Sequence, residues 1–262
     1  TRLIYSNSKK WQFISSIAYK GLDALIANSN KAKKHISKTI NYPNEKILLL
    51  RNLLNTDKFK PSDLLEHDLT LYSNLIDKDK NLFLVPARLH PQKNQHILID
   101  TMKMLLHKDV NNIQFILAGD SKSTYAEKIK KNIEEEQLQK QFVFLDKVKN
   151  MENLYNLVDF VLLPSLYEGF PNAILEGMAC GKICLSTDTS DIKEIIQDKK
   201  NGFIIEENTA TSISKTITEV IKLSNAHKKE IEKKAFESVQ KYGKENYTTN
   251  FYSILKHISQ ID

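Results

Sequence analysis

The sequence predicts an α/β domain built on a doubly wound parallel sheet. Short apolar runs alternate with amphipathic helical stretches along the chain, which is the pattern of a parallel sheet with crossover helices. Runs such as Phe115-Ile116-Leu117 show no polar alternation, so helices are expected on both faces of the sheet. The 262 residues, 41% hydrophobic and 27% charged, are enough for one such domain and part of another.

Six strands and five helices are predicted for this domain. The strands are Leu82–Pro86, Ile113–Ala118, Phe142–Leu145, Phe160–Pro164, Ile183–Ser186 and Gly202–Ile205. The helices lie near His96–Leu106, Tyr125–Glu136, Met151–Val158, Asn172–Ala179 and Ile192–Gln197. Other elements flank them: strands Ala24–Ala27 and Lys46–Leu50, a basic helix Ser29–Lys38 capped by Ser29, a partly helical linker Asp57–Lys80, and helices Ser212–Leu223, Lys228–Lys241 and Glu245–Ile258.

Charge and cysteine content narrow the class of protein. The formal charge is +6, with basic residues dense at Lys9–Trp11 and Lys31–Lys38. Such segments suit anionic lipid or phosphorylated ligands, and a solvated surface is the alternative. No zinc-finger, RNA-recognition or helix-turn-helix signature accompanies the charge, so nucleic acid is not an expected partner. Cys180 and Cys184 lack further ligands at zinc spacing, which fits buried thiols in a reducing cytoplasm.

The glycines indicate where a ligand would bind. Five of the seven fall at or near the carboxyl ends of strands or at helix ends: Gly119, Gly169, Gly177, Gly181 and Gly202. In doubly wound sheets, ligands bind just beyond the carboxyl ends of the strands. The chain has neither a G-x-G-x-x-G turn nor a Walker loop, which argues against a dinucleotide oxidoreductase and a P-loop NTPase.

The segment from Pro164 to Gly181 carries the strongest chemical signal. A buried strand ends at Pro164, a tight loop follows, and a helix begins near Pro171, with this proline at its first position. Free N–H groups around Asn172 and Ala173 would then face the crevice at the sheet edge. A helix N-terminus placed there is an anion site.

Two carboxylates accompany this predicted anion site. Glu168 lies in the loop above it, and Glu176 lies on the second turn of the helix. Because carboxylates repel phosphates, they are expected to accept hydrogen bonds from hydroxyl groups, such as those of a sugar and a ribose. The alternative is a surface glutamate in a loop and a helix glutamate in an ion pair.

Two cations are predicted at the same edge of the sheet. The strand that ends at Pro86 delivers Arg88 and Lys93 into the following loop. A planar guanidinium and a compact ammonium form a suitable pair for a diphosphate. His90 and His96 are expected to be loop and surface residues, because no carboxylate or cysteine joins them at ligand spacing.

Together these residues resemble the signature of family-4 retaining glycosyltransferases with the GT-B fold. The run Glu168-x7-Glu176, preceded by Leu163-Pro164-Ser165 and followed by Met178–Gly181, carries the resemblance, and Arg88 and Lys93 match the arginine and lysine of the family's first donor-domain loop. The resemblance implies a nucleotide-sugar donor-binding domain at residues 58–245. Residues 1–57 would be a remnant of the acceptor domain with the hinge, and residues 246–262 a helix that returns toward the acceptor domain.

The resemblance also implies a role for each site residue. Arg88 and Lys93 would bind the donor diphosphate and stabilise the leaving group, Glu168 would contact the transferred sugar, and Glu176 would contact the ribose hydroxyls. The remaining donor-binding positions are Gly119, Val148, Phe170, Asn172 and Ala173. No metal and no separate cofactor is expected, since cations and the helix dipole would neutralise the diphosphate.

The chain departs from the family pattern in three places. Asn52-Leu53-Leu54-Asn55 stands where Asn-Gly-hydrophobic-Asp is usual, Asp146 stands where glycine is common, and Ser190-Asp191 stands where Gly-Gly is common. The first two lie away from the predicted phosphate site. The third is expected to reshape the rim of the crevice near the donor sugar.

The resemblance implies a retaining glycosyltransferase that moves a hexose or N-acetylhexosamine from a nucleotide-diphosphate sugar, with UDP as the expected nucleotide, to a glycan or lipid-linked acceptor of cell-surface polysaccharide. The chain is expected to be a donor-binding fragment that transfers poorly alone. Its expected location is the cytoplasm, with a peripheral contact to the inner face of the membrane inferred from charge alone. Two alternatives stay open: a non-catalytic nucleotide-sugar-binding module, and a glycoside hydrolase using Glu168 and Glu176.

Overall fold

The computed structural model describes residues 17–19, 21–63, 72 and 75–260. The basic run Lys9–Trp11 and much of the predicted helical linker Asp57–Lys80 lie outside the described residues. The chain divides into two compact units, Asn55–Gln240 and the combination of Thr1–Leu54 with Lys241–Asp262.

The larger unit is built on a six-stranded, fully parallel sheet, which confirms the predicted fold class. Its strands are β3 (Asn81–Pro86), β4 (Ile113–Ala118), β5 (Phe142–Leu145), β6 (Phe160–Leu163), β7 (Ile183–Thr187) and β8 (Phe203–Ile205), preceded in the other unit by β1 (Leu25–Ala27) and β2 (Ile47–Leu49). All six predicted strands are present. Pro164 and Gly202 lie just outside the observed strands.

The helices of the larger unit follow the predicted alternation with the strands. They are α2 (Ile97–Leu106), α3 (Thr124–Glu135), α4 (Met151–Leu157), α5 (Asn172–Ala179), α6 (Ile192–Ile195), α7 (Ala210–Ile221) and α8 (Asn225–Val239). Helix α6 is a single turn and ends before the predicted Gln197, because Ile196 is extended, at φ −99° and ψ 121°.

The order of strands in the sheet is β5-β4-β3-β6-β7-β8. The chain therefore runs outward from β3 to β5, returns to place β6 beside β3, and then runs outward in the other direction. The loops that follow β3 and β6 meet at this reversal, which is where open α/β sheets bind their ligands.

A ladder of aromatic rings fills the centre of the sheet. Phe83 and Phe160, on neighbouring strands, stack with ring centroids 4.6 Å apart, and Phe83 also lies 5.9 Å from Phe115. All three rings are buried. Burial of each contributes roughly 2–3 kcal/mol, so these rings help to hold β3, β4 and β6 together.

Helix α5 packs very closely on the sheet at Gly177. A Cβ atom at this position would lie 2.8 Å from Val161 Cγ2 and 2.9 Å from Cys184 Sγ. Any side chain there would push the helix away from β6 and β7. The glycine thus sets the distance between α5, which carries Glu176, and the strand that leads to Glu168.

The smaller unit contains the two-stranded parallel sheet of β1 and β2, helix α1 (Asn30–Ile40) and the C-terminal helix α9 (Lys244–Ile258). Ser29 caps α1 as predicted, because its hydroxyl accepts from the Ala32 amide at 3.0 Å. Ala32, Ile36 and Ile40 face the core of this unit. The opposite face of α1 exposes three lysines: Lys31, Lys34 and Lys38.

Candidate active site

Two loops at the reversal of the sheet bring a cation and a carboxylate together. Lys93 lies in a 3-10 turn (Pro91–Lys93) after β3, and Glu168 lies in the loop after β6. The Lys93 Nζ lies 2.6 Å from Glu168 Oε1. The two side chains are only 19% and 7% exposed. The structure thus joins two predicted site residues that are 75 positions apart in the chain.

Ser165 completes the environment of Glu168. Its hydroxyl donates to Glu168 Oε1 at 2.6 Å. This single carboxylate oxygen therefore accepts hydrogen bonds from both the Lys93 ammonium and the Ser165 hydroxyl. Ser165 is fully buried, and its own carbonyl accepts from the Thr187 hydroxyl at 2.7 Å. Ser165 belongs to the predicted motif but was not predicted as a site residue; in the structure it orients the carboxylate.

The positive charge of this edge comes from Arg88 and Lys93 together. Arg88 is exposed, in the loop immediately after β3. His90 lies between these two cations in sequence. Burial is the main cause that lowers the pKa of its imidazole, and the positive charges of Arg88 and Lys93 lower it further. His90 Nδ1 accepts from the Gln92 amide at 3.2 Å. His90 therefore acts as a neutral acceptor that shapes the turn, in line with the loop role expected for it.

Gly119 allows the loops after β3 and β4 to approach each other. A Cβ atom on Gly119 would lie 2.4 Å from the Ala87 carbonyl oxygen and 2.6 Å from the Arg88 nitrogen. Nearby, the Leu89 amide donates to the Asp120 carbonyl at 2.9 Å. The glycine is needed for this crossing, which fixes the backbone that carries Arg88.

Glu176 is held by a neutral group. The Tyr155 hydroxyl lies 2.9 Å from Glu176 Oε2 and 3.2 Å from the Ala173 carbonyl oxygen. Burial raises the pKa of Glu176, while the Tyr155 hydrogen bond and the charge of Lys58 act in the opposite direction. Tyr155 was not predicted as a site residue, because an aromatic residue on a short helix has the pattern of a core residue.

The start of α5 differs from the prediction. Pro171 precedes the helix and is not its first residue. The Asn172 amide, predicted to be free, donates to the Phe170 carbonyl at 3.0 Å. The Phe170 side chain is buried. Ala173 is half-buried, and its carbonyl already accepts a hydrogen bond from Tyr155. Val148, another predicted donor-binding residue, is half-buried in the loop after β5.

Ser190 occupies one of the positions that depart from the family pattern. Its φ of 51° lies in the left-handed region that favours glycine. Its hydroxyl donates to the Gly169 carbonyl at 2.6 Å. The serine therefore links the end of β7 to the loop that carries Glu168. Asp146, which stands where glycine is common in the family, accepts a hydrogen bond from the Ser121 hydroxyl at 2.6 Å.

A cavity of about 550 Å³ lies on a different part of the larger unit. Its lining includes Asn156, Gly181, Lys182 and Glu232, which places it near the amino ends of β6 and β7. None of its lining residues is a predicted site residue.

Within the described ranges, no three His, Cys, Asp or Glu side chains come together as a metal site would require. Cys180 and Cys184 are buried free thiols, and burial raises the pKa of Cys180 to about 12.

Residues 70–238 match the family model described as "Glycosyl transferases group 1". The chain belongs to this family. Membership agrees with the geometry, in which the Lys93–Glu168 pair lies at the reversal of a parallel sheet.

Named relatives of this group 1 chain include two bacterial enzymes. A UDP-Gal:alpha-D-GlcNAc-diphosphoundecaprenol alpha-1,3-galactosyltransferase of Escherichia coli is 27% identical over 84% of this chain and 55% of its own length. A capsular polysaccharide biosynthesis glycosyltransferase, CapH, of Staphylococcus aureus is 26% identical over 66% of this chain and 52% of its own length. The chain spans about half the length of these curated relatives.

Solved structures show the same fold. Anabaena Alr3699/HepE in complex with UDP and glucose superposes with a TM-score of 0.84 over 97% of this chain and 68% of that protein, at 21% identity. The group 1 chain therefore has the α/β architecture of GT-B glycosyltransferases. The described helices all fall short of the length and apolarity that a bilayer crossing requires.

Proposed function

We propose that this chain is the donor-binding part of a retaining, metal-independent family-4 glycosyltransferase. It binds a nucleotide-diphosphate sugar, with UDP as the nucleotide, and the complete enzyme transfers a hexose or N-acetylhexosamine to a glycan or lipid-linked acceptor of cell-surface polysaccharide. One observation carries the proposal: the nearly buried Lys93–Glu168 pair at the reversal of the sheet, with Arg88 at the same edge. A relative named for UDP-Gal and a fold neighbour bound to UDP support the choice of nucleotide.

The domain roles are part of the same proposal. Residues 58–245 bind the donor, residues 1–57 are a remnant of the acceptor domain with the hinge, and residues 246–262 form a helix that returns to the acceptor domain. The compact units Asn55–Gln240 and Thr1–Leu54 with Lys241–Asp262 support this division, with boundaries a few residues away.

The ion pair suggests how the donor is recognised. Before the donor arrives, Lys93 neutralises Glu168. The diphosphate carries more charge than one carboxylate, so it draws Lys93 toward itself, with Arg88 on its other side. Glu168 Oε2 then accepts a hydrogen bond from a hydroxyl of the sugar, since Oε1 already accepts one from Ser165. When Lys93 changes its partner from Glu168 to the diphosphate, the Glu168 carboxylate becomes available to bind the sugar.

In the transfer itself, the bond between the sugar anomeric carbon and the diphosphate oxygen breaks. The acceptor hydroxyl forms a new bond to the same carbon on the same face, and its proton passes to the departing phosphate oxygen. Arg88 and Lys93 stabilise the negative charge that develops on the leaving group, which is the task that a metal performs in other enzymes. Glu176 accepts from the ribose through Oε1, because Oε2 is bonded to Tyr155.

Binding without transfer is the second candidate function. It is supported by the location of Arg88, Lys93, Glu168 and Glu176, which all lie within the unit Asn55–Gln240. Turnover by a longer form of the protein that includes the acceptor domain would decide between an enzyme and a binding module.

A peripheral contact with the inner face of the cytoplasmic membrane is a separate proposal, supported by the exposed lysines of α1 (Lys31, Lys34 and Lys38). The expected result is sedimentation with anionic liposomes that is lost when all three are changed to glutamine. Sedimentation that does not respond to anionic lipid content would exclude this contact.

Calorimetric titration tests the donor site directly. We expect UDP to bind the chain without magnesium, more tightly than GDP or ADP, with weaker binding in Lys93→Ala and Glu176→Ala. Lys131→Ala, an exposed lysine far from the site in sequence, is the control and should bind like the wild type. Absence of nucleotide binding both here and in a longer form would refute the proposed function.

A further inference from the structure

The side chain of Asn208 connects the two loops that hold the ion pair. Asn208 lies just before α7, and its Nδ2 donates to the Pro164 carbonyl at 3.2 Å and to the Ser165 carbonyl at 3.0 Å. Its Oδ1 accepts from Asn94 Nδ2 at 2.8 Å. Asn94 directly follows Lys93, and Ser165 donates to Glu168. One amide therefore lies between the backbones that carry the two members of the pair.

The direction of these hydrogen bonds is fixed by chemistry. Carbonyl oxygens only accept, so Asn208 must turn its NH2 group toward Pro164 and Ser165. Its carbonyl oxygen then faces Asn94, which must present its own NH2 group. A flipped amide at either position would place two acceptors against each other.

The turn that carries Lys93 is held on both sides of that lysine. Gln92 ties the turn to the loop of Glu168. The Gln92 carbonyl accepts from the Leu166 amide at 2.9 Å, and its Nε2 donates to the Tyr167 carbonyl at 2.9 Å.

Asn208 holds the Asn94 end of this turn. Asn94 is 4% exposed and has a φ of 57°, which ends the 3-10 turn Pro91–Lys93. Ser165 is likewise held from its other side, by the Thr187 hydroxyl at 2.7 Å. Loss of the Asn208 amide should therefore leave Glu168 in place and loosen the turn of Lys93 at its Asn94 end, where Asn94 loses its side-chain partner.

We propose that Asn208, acting through Asn94, is a positioning residue that holds Lys93 against Glu168 and so prepares the site for the donor diphosphate. Neither asparagine needs to touch the donor. The effect on donor binding rests on the proposed function. The effect on the Lys93–Glu168 pair does not, and it can be measured without any nucleotide.

The first experiment measures how fast Lys93 is acetylated by acetic anhydride, read by mass spectrometry against Lys131, whose side chain is 75% exposed. Asn208→Ala should speed acetylation of Lys93 by roughly fivefold, the factor expected for loss of the one Asn208 hydrogen bond that acts on this turn, the bond from Asn94 to Asn208. Asn201→Ala is the control, because the side-chain amide of Asn201 likewise donates to a backbone carbonyl and a second side chain, here Ile195 O and Ser238 Oγ. That variant should lose stability without changing the rate at Lys93. Equal rates in the wild type and Asn208→Ala would overturn the proposal.

The second experiment is a double-mutant cycle with UDP-glucose, measured by calorimetry. Asn208→Ala should weaken binding roughly fivefold in the wild-type background and leave it unchanged in a Lys93→Ala background. An equal loss in both backgrounds would mean that Asn208 acts on overall stability, which overturns the positioning role. If the wild type binds no nucleotide, the proposed function fails, and the acetylation rate alone decides the role of Asn208.

Discussion

Glu168 and Glu176 belong to one short segment of the chain, yet the protein holds them in opposite ways. Glu168 shares one oxygen between the Lys93 ammonium and the Ser165 hydroxyl, both at 2.6 Å. Glu176 meets the neutral hydroxyl of Tyr155, and burial raises its pKa. The first carboxylate is paired with a cation, and the second is surrounded by a largely uncharged environment.

This difference decides what each carboxylate can do. Glu168 has the Lys93 ammonium as its partner, 2.6 Å away. Glu176 can take up a proton and remain hydrogen-bonded, because its O–H can donate to the Tyr155 oxygen while the Tyr155 hydroxyl turns to the Ala173 carbonyl, 3.2 Å away. Burial raises the pKa of Glu176, so the charge of this carboxyl depends on pH, and its hydrogen bond to Tyr155 can persist in both protonation states.

The largest expected effect comes from removing the cation. Lys93→Ala leaves the Glu168 carboxylate nearly buried without its partner, and we expect a loss of about 3 kcal/mol in the free energy of unfolding. Urea unfolding at pH 7 measures this loss. The double variant Lys93→Ala/Glu168→Gln removes the uncompensated charge and should recover more than half of it. A double variant no more stable than Lys93→Ala would show that the pair is not held as described.

The second effect is smaller and depends on pH. Tyr155→Phe removes the hydrogen bond that lowers the pKa of Glu176, so that pKa should rise further above its unfolded value. A carboxyl with a raised pKa binds more protons in the folded state, so stability falls as pH rises from the unfolded value, about 4.3, through the folded one. We expect Tyr155→Phe to lose about 2 kcal/mol at pH 8 and less at pH 4.

Urea unfolding at pH 4, 6 and 8 tests this dependence. Tyr167→Phe is the matched control, because the Tyr167 side chain is half-exposed and its variant should match the wild type at each pH. A loss for Tyr155→Phe that is the same at all three values would mean that Glu176 does not change its protonation in this range.

The fold of the larger unit was more predictable from the sequence than the contacts of its site residues. The alternation of apolar runs and helices was sufficient to predict all six strands of the sheet, because each strand is buried on both faces and has no polar alternation. The pattern could not reveal that β6 returns beside β3, since strand order depends on long-range packing. The prediction placed Lys93 and Glu168 at the same edge but not in contact.

Tyr155, Asn94 and Asn208 were missed for a related reason. Their roles depend on hydrogen bonds to partners 18 to 114 positions away, which leave no local pattern in the chain. The predicted free amide at Asn172 was wrong because the turn before α5 bonds back on Phe170, a detail of local backbone geometry. The expected roles of the site residues toward a donor stay predictions.

The third effect is on ligand affinity, and it distinguishes Glu176, proposed to bind the ribose, from Glu168, proposed to bind the transferred sugar. Glu176→Ala should weaken UDP binding about tenfold, or about 1.4 kcal/mol, because one acceptor for the ribose is lost. A 2′,3′-dideoxy analogue of UDP should bind the wild type and this variant equally. Glu168→Ala should reduce the added affinity of UDP-glucose over UDP. Calorimetry with the three ligands gives all these values, and a Glu176→Ala effect that persists with the dideoxy analogue would remove the ribose role.

The smallest effect tests the link between Ser190 and the loop of Glu168. Ser190→Ala loses the hydrogen bond to the Gly169 carbonyl and keeps the left-handed φ of 51°, so it should lose about 1 kcal/mol of stability. Ser190→Gly loses the same bond but relieves backbone strain of about 1 kcal/mol, so it should stay close to the wild type. Hydrogen exchange should speed up at the Gly169 amide in both variants and stay unchanged around Glu176. If exchange rises equally at both carboxylates, the two are not held independently, and the contrast between them must be abandoned.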